Sequence, residues 1–277
     1  MITIEMHDVS IGYGRNVVLK GINLRVSPGE MVGLIGPNGC GKSTIIRALS
    51  RIIPPFSGRI LVDGQDITRV SRRELAHLIG VVPQMPLLPS AFTAFEIVLM
   101  GRNPHLGFLQ YEGPREIAIA WQAMEKTGTQ SLAERRVSEL SGGEIQGLLM
   151  ARVLAQETKA LLLDEPTANL DIGRQIEILG LIRNLRLDGN MAVLAALHDL
   201  NLAAQYCDRL VLIDRGRIYA EGTPREVVTA KNIAEVYGAE NCVYSHPVNG
   251  LPCVLLKADN ARLSGLSDTH EKEFSKD

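Results

Sequence analysis

Apolar positions along this chain alternate between short continuous runs and longer stretches at helical spacing. Met1 to Met6 reads as a short strand, and Asn16 to Val26 as a longer one ending at the turn Ser27-Pro28-Gly29. Met31-Val32-Gly33-Leu34-Ile35 is a compact apolar run, the pattern of a buried strand. A glycine-rich loop follows, then a helix predicted over Ser43 to Arg51. Gly58 to Val62 and Gln65 to Thr68 flank Asp63-Gly64 and predict a hairpin. From Phe92 to Gln156 the spacing is helical, with helices predicted over Phe92 to Met100, Arg115 to Lys126 and Glu144 to Gln156. Buried-strand runs return at Leu161-Leu162-Leu163 and Met191 to Leu197, on either side of a helical stretch over Ile172 to Leu187.

That alternation predicts an α/β fold with a parallel sheet, a β-rich N-terminal part and a helical subdomain inserted at about residues 86–156. Arg209 to Asp214 and Arg217 to Ala220 around Arg215-Gly216 read as a late hairpin. After Gly238 the character changes, so residues 1–238 form the expected main domain and 239–277 an extension. Within the extension, Cys242 to Tyr244 and Val254 to Leu256 could pair around Asn249-Gly250, and from Ala258 onward a polar, frayed tail is expected. A regulatory role, an aid to dimerisation and simple surface cover all stay open for this pair.

Composition narrows the classes. The 277 residues, 45% of them hydrophobic, suffice for one large domain or a domain with an appendage. The net charge of −2 shows no basic excess, so a nucleic-acid partner is not expected. No run of 18 apolar residues predicts a bilayer span, and Met1-Ile2-Thr3-Ile4-Glu5 lacks the pattern of a secretory signal, so the chain is expected to stay in the cytosol. Cys40, Cys207, Cys242 and Cys253 contain no C-x-x-C pair, which argues against a zinc or redox motif, and His246 beside Pro247 reads as structural.

Three motifs carry chemistry. Gly36-Pro37-Asn38-Gly39-Cys40-Gly41-Lys42-Ser43-Thr44 fits the phosphate-loop pattern between a strand and a helix. Its glycines let backbone N–H groups curl around phosphate oxygens, Lys42 brings a cation to the β/γ-phosphates, and the Ser43 hydroxyl can ligate Mg²⁺. Leu161-Leu162-Leu163-Asp164-Glu165 sets two carboxylates at the end of a buried strand. There Asp164 would serve Mg²⁺, and Glu165 would orient and deprotonate an attacking water, which favours hydrolysis over transfer. In Leu140-Ser141-Gly142-Gly143-Glu144, Ser141 and Glu144 form a capping box, and two glycines in a first helical turn suit a phosphate approaching the backbone.

In this order the motifs resemble the nucleotide-binding subunits of ABC transporters, over about Met1 to Gly238. The resemblance implies a P-loop NTPase core with an N-terminal antiparallel β subdomain and an inserted helical one. It also implies ATP and Mg²⁺ as ligands and a homodimer sandwiching two ATP molecules, each held by Lys42 and Ser43 of one chain and covered by Ser141, Gly142 and Gly143 of the other. By the same resemblance Tyr13 stacks on adenine, Gln84 touches Mg²⁺ and senses the membrane partner, Asp171 in Ala168-Asn169-Leu170-Asp171 lies in the loop crossing the dimer interface, and His198 contacts the γ-phosphate. Integral membrane permease subunits and, indirectly, a substrate-binding protein are the implied partners, which places the chain at the cytoplasmic face of the membrane.

Val98-Leu99-Met100-Gly101-Arg102-Asn103-Pro104-His105-Leu106-Gly107 and the segment His198 to Asp208 resemble importers for iron-siderophore, haem and cobalamin. Molybdate importers share much of this, and a soluble ATPase of the same family acting on ribosomes or nucleic acid is the other alternative. Two departures stand out. Ile145 and Gly147 occupy positions beside Gln146 that members commonly fill with arginine, and Gly147 costs the helix about 1 kcal/mol relative to Ala. Cys40, near Lys42 and a helix N-terminus, is expected to have a lowered thiol pKa.

Overall fold

The computed structural model describes residues 2–84, 87–107, 109–168, 170–238 and 241–256. The tail expected from Ala258, the start of the helical insertion at Pro86, and Asn169 lie outside them. In chain order the strands and α-helices are β1 (Ile4–Tyr13), β2 (Asn16–Val26), β3 (Met31–Ile35), α1 (Lys42–Leu49), β4 (Ser57–Val62), β5 (Gln65–Asp66), α2 (Arg72–Leu78), β6 (Ile79–Val82) and α3 (Ala94–Leu99). There follow α4 (Pro114–Lys126), α5 (Gly142–Ala155), β7 (Ala160–Asp164), α6 (Ile172–Gly189), β8 (Ala192–Ala196), α7 (Leu200–Tyr206), β9 (Arg209–Asp214), β10 (Arg217–Gly222), α8 (Pro224–Val227), α9 (Ala230–Tyr237), β11 (Asn241–Ser245) and β12 (Pro252–Leu256).

An antiparallel sheet of order β2-β1-β4-β5 packs against a sheet of order β10-β9-β3-β8-β7-β6, in which β9, β3, β8, β7 and β6 run parallel. Side chains of the parallel strands alternate between its two faces, as the two-residue strand period requires. Val32, Leu34, Leu162, Leu194 and Val211 join α1 and the antiparallel sheet on one side. Met31, Ile35, Leu161, Leu163, Val193 and Leu210 face α6, α7 and α9 on the other. Every residue of β3, β7 and β8 is buried, so these strands read as unbroken apolar runs.

The helices α3, α4 and α5 share a separate core built on Ile97, Val98, Ala123, Met124, Leu148 and Ala151. The expected inserted helical subdomain is therefore present; α5 opens with the expected Ser141–Glu144 capping box, and α3 with a further one at Thr93 and Glu96 that was not predicted. A 3₁₀ stretch, Met100–His105, joins the end of α3 to α5 and to α2. There Arg102, 1% exposed, donates to Ala155 O at 2.6 Å and Glu157 Oε2 at 2.7 Å, while Arg73 from α2 donates to Pro104 O at 2.8 Å. The segment that resembles importer sequences is thus a packed joint.

Several elements were not predicted. The first strand runs to Tyr13 rather than stopping at Met6, because register shifts after Met6, Val9 and Ile11 break the two-residue alternation that marks a strand. Helix α2 buries only Leu75, and β6 is a four-residue strand at the sheet edge. Helices α7, α8 and α9 each have eight residues or fewer, too short to establish a period.

Candidate functional site

Four adjacent parallel strands deliver the candidate residues to one edge. The loop Gly36 to Thr44 follows β3, His198 follows β8, Asp164 and Glu165 end β7, and Gln84 follows β6. This is the carboxyl edge of an open α/β sheet, where ligands bind. The strand ends are tied laterally: Glu165 N donates to Ala196 O at 3.0 Å, and Leu197 N donates to Leu34 O at 3.0 Å.

Within the loop, Gly36 has φ +146°, and a Cβ there would stand 2.2 Å from Ile213 O, so the tight turn out of β3 requires glycine. The loop opens α1, where Lys42 is 5% and Thr44 6% exposed. Lys42 Nζ donates to Gly36 O at 2.7 Å and Pro37 O at 3.1 Å, which keeps its charge inside the loop. Asn38, Gly39, Gly41, Lys42, Ser43, Thr44 and Glu165 line a cavity of about 130 Å³. Ser141, Gly142 and Gly143 are not among its walls.

Ser43 Oγ donates to Asp164 Oδ1 at 2.8 Å across the sheet edge. Burial raises the Asp164 carboxyl above its ordinary range, against the lowering effect of the Ser43 bond, and the neighbouring Glu165 raises it further. A buried carboxylate bonded to a hydroxyl is an all-oxygen donor set that fits a hard divalent cation. Glu165 has φ +50°, an uncommon conformation for a non-glycine residue, and its Oε2 accepts from Gln84 Nε2 at 2.6 Å. His198 is exposed at the same edge, directly before Asp199, the N-cap of α7.

The remaining candidates do not line this cavity. Tyr13 is 42% exposed at the end of β1, and its hydroxyl accepts from Arg47 Nη1 of α1 at 3.0 Å. Ser141 caps α5: its Oγ accepts from Glu144 N, and its N–H donates to Glu144 Oε2 at 2.7 Å. A Cβ on Gly142 would meet nothing within 4 Å, so nothing within the described residues demands glycine there. Asp171 caps α6 by accepting from Arg174 N at 2.9 Å, and Leu170 beside it lies 3.6 Å from where a Gly143 Cβ would be. The start of α5 and the loop before α6 are therefore in contact.

The two departures have local explanations. A Cβ on Gly147 would stand 3.0 Å from Thr129 Cγ2, so glycine lets the turn after α4 close onto α5. Ile145 packs against the main core, consistent with the loss of a charged residue there. The expectation for Cys40 is corrected: burial raises its thiol pKa and outweighs the lowering pull of Lys42, whose Nζ lies 3.9 Å from Sγ. His246 serves the hairpin turn, its Nδ1 accepting from Val248 N at 3.3 Å.

Sequence reasoning missed Tyr237. From the end of α9 its hydroxyl is shut off from solvent beneath the phosphate loop, close to the Gly36 amide and the Cys40 thiol, with no full hydrogen bond among the described residues. Burial pushes the phenol far above its ordinary pKa. No local pattern announces it, since the contact forms between positions 201 residues apart in sequence (237 − 36).

Comparison with known proteins gives the family. The family model described as "ABC transporter" matches residues 19–168. The ferric enterobactin transport ATP-binding protein of Escherichia coli (strain K12) is 40% identical over 248 residues, covering 89% of this chain and 91% of the relative. The cobalamin import ATP-binding protein of Halobacterium salinarum is 39% identical over 267 residues, covering 96% of this chain and 66% of the relative. Among solved structures, an inward-facing transporter described as a putative metal-chelate type superposes with a TM-score of 0.81 at 27% identity, covering 93% of this chain and 98% of that one.

Proposed function

Because the chain belongs to the ABC transporter ATP-binding family, and is an ATPase of that family, we propose that its hydrolysis of ATP powers uptake of an iron-siderophore, haem or cobalamin-type substrate through a separate membrane permease. One observation carries the catalytic half: four neighbouring strands bring Lys42, Ser43, Asp164, Glu165, Gln84 and His198 to a single edge. The transport half is supported by the siderophore and cobalamin importer subunits among the relatives, and by the residue 98–107 and 198–208 segments.

In this reading the amides of Gly36 to Thr44 and the Lys42 ammonium bind the phosphates of ATP, with Asn38, Gly39, Cys40 and Gly41 forming the turn around them. Ser43, Asp164 and Gln84 would hold Mg²⁺, which would offset the negative charge of the phosphates. Glu165, aimed by its strand-end backbone and by Gln84, takes the proton of the attacking water, and His198 contacts the γ-phosphate. Tyr13 offers its exposed ring to adenine.

Ser141, Gly142 and Gly143 lie outside the walls of the loop cavity, so they would serve a nucleotide on a second copy, giving a head-to-tail homodimer with two sandwiched ATP molecules. Leu170, in contact with the start of α5, and Asp171 beside it would lie at that interface. No helix of the described residues is long and apolar enough to cross a membrane. The proposed place is therefore the cytoplasmic face of the membrane, against permease subunits that receive substrate from a binding protein.

The test is a pull-down of the tagged chain from detergent-solubilised membranes, with the co-purifying proteins identified. A polytopic permease, together with a binding protein for an iron chelate, haem or cobalamin, is the expected result. Recovery of ribosomes or DNA without a membrane protein would overturn the importer reading while leaving the ATPase intact.

A further inference from the structure

The β11–β12 hairpin lies beyond the residues that the family model matches, yet it is bonded to the element that follows His198. Asn201, in the first turn of α7, uses both ends of its side-chain amide on one residue of β12. Its Nδ2 donates to Val254 O at 3.2 Å, and its Oδ1 accepts from Val254 N at 2.7 Å. The amide thus takes the place of a neighbouring strand's peptide group and satisfies an otherwise unpaired strand edge. Val254 is 8% exposed and shares a core with Ala203 and Ala204 of α7. At the far end of the hairpin, Asn249 Nδ2 donates to Gln205 Oε1 at 2.5 Å.

Helix α7 has seven residues, too few to hold its position alone. Its first turn is fixed by Asp199, whose carboxylate accepts from Asn201 N at 2.7 Å and Leu202 N at 3.0 Å. His198 therefore sits between β8, which is rigid in the sheet, and a short helix clamped from outside by the hairpin. A histidine that must meet a phosphate within hydrogen-bonding distance depends on that clamp, because a displacement of about 1 Å costs on the order of 100-fold in rate.

We propose that the C-terminal hairpin is a positioning element of the hydrolysis site, and that Asn201 is the residue through which it sets the place of His198. The inference rests on the reading of His198 as a γ-phosphate contact. It gives the extension a role within one subunit, in place of dimerisation or surface cover.

The experiment is a double-mutant cycle on the full chain, reading kcat and KM for ATP together with the melting temperature of each variant. His198→Ala is expected to lower kcat more than about tenfold, and Asn201→Ala about five- to tenfold, with KM within about twofold of wild type. In the double variant kcat is expected to match His198→Ala alone, since Asn201 acts only through that ring. A merely structural Asn201 would lower the rate by the same factor in both backgrounds, and that outcome would overturn the proposal, as would a wild-type kcat for Asn201→Ala. A wild-type kcat for His198→Ala would overturn the underlying reading and the inference with it. Should Asn201→Ala fail to fold, Asn249→Ala loosens the hairpin from its exposed turn, and the same loss of effect in the His198→Ala background is required.

Discussion

The Gln84 side-chain amide donates to Glu165 Oε2 at 2.6 Å, joining the ends of two neighbouring strands across 81 positions of sequence. Gln84 lies just before the helical insertion. Replacing Glu165 by Gln keeps the size of the side chain and removes the carboxylate. Hydrolysis is expected to fall by about 10²- to 10⁴-fold with ATP affinity retained. Single-turnover hydrolysis beside equilibrium nucleotide binding checks this, and near-normal turnover would exclude Glu165 as the base.

Ser141 and Glu144 satisfy each other's backbone N–H groups at the start of α5. Ser141→Ala should cost about 1 kcal/mol of stability through the lost cap. The backbone and side-chain bonds from Ser141 hold the Glu144 carboxyl below its ordinary range, with Arg135 adding to this. A lowered folded-state pKa means stability that is present above the ordinary glutamate range and lost as pH falls through the folded value. Acid denaturation of the wild type should therefore be steeper than that of Glu144→Gln, in which the cap survives without titrating. Parallel acid titrations by circular dichroism would show it, and superimposed curves would remove Glu144 from the pH dependence.

Cys40 is 7% exposed and its thiol is held protonated by burial, whereas Cys242 and Cys253 are only partly covered. Iodoacetamide at neutral pH should modify Cys242 and Cys253 first and Cys40 slowly, with faster Cys40 reaction as pH rises, because the thiolate is the nucleophile. Alkylated Cys40 should block ATP binding, and ATP should protect it. Peptide mapping against time and pH gives the order, and full Cys40 labelling with unchanged binding would refute its closeness to the bound nucleotide.

Tyr237 buries a hydroxyl beneath the phosphate loop, near the Gly36 amide but with no partner at hydrogen-bonding geometry among the described residues. An unsatisfied buried polar group costs about 1–3 kcal/mol, so Tyr237→Phe should stabilise the chain, by about 1 kcal/mol, while keeping the ring's packing. Denaturant titration measures the change. A loss of stability would show that the hydroxyl makes a bond that matters to the fold.

Much of the candidate site was legible in the sequence because its signals are local. A phosphate loop must follow a strand and open a helix, and a strand buried on both faces must be apolar throughout, so Gly36 to Thr44 and Leu161 to Glu165 announce themselves within nine or fewer consecutive residues. The Ser141–Glu144 capping box was legible for the same reason, since both partners lie in one helical turn. Tertiary structure alone decided what depends on partners distant in sequence. It set the order of strands that places Gln84 on Glu165, and the burial that turned the expected acidic Cys40 into a weakly acidic thiol. It also seated Tyr237 under the loop and gave Asn201 its grip on Val254. Backbone propensity and hydrophobic period act over a few residues, whereas desolvation and hydrogen bonding between separate elements exist only after the chain has closed on itself.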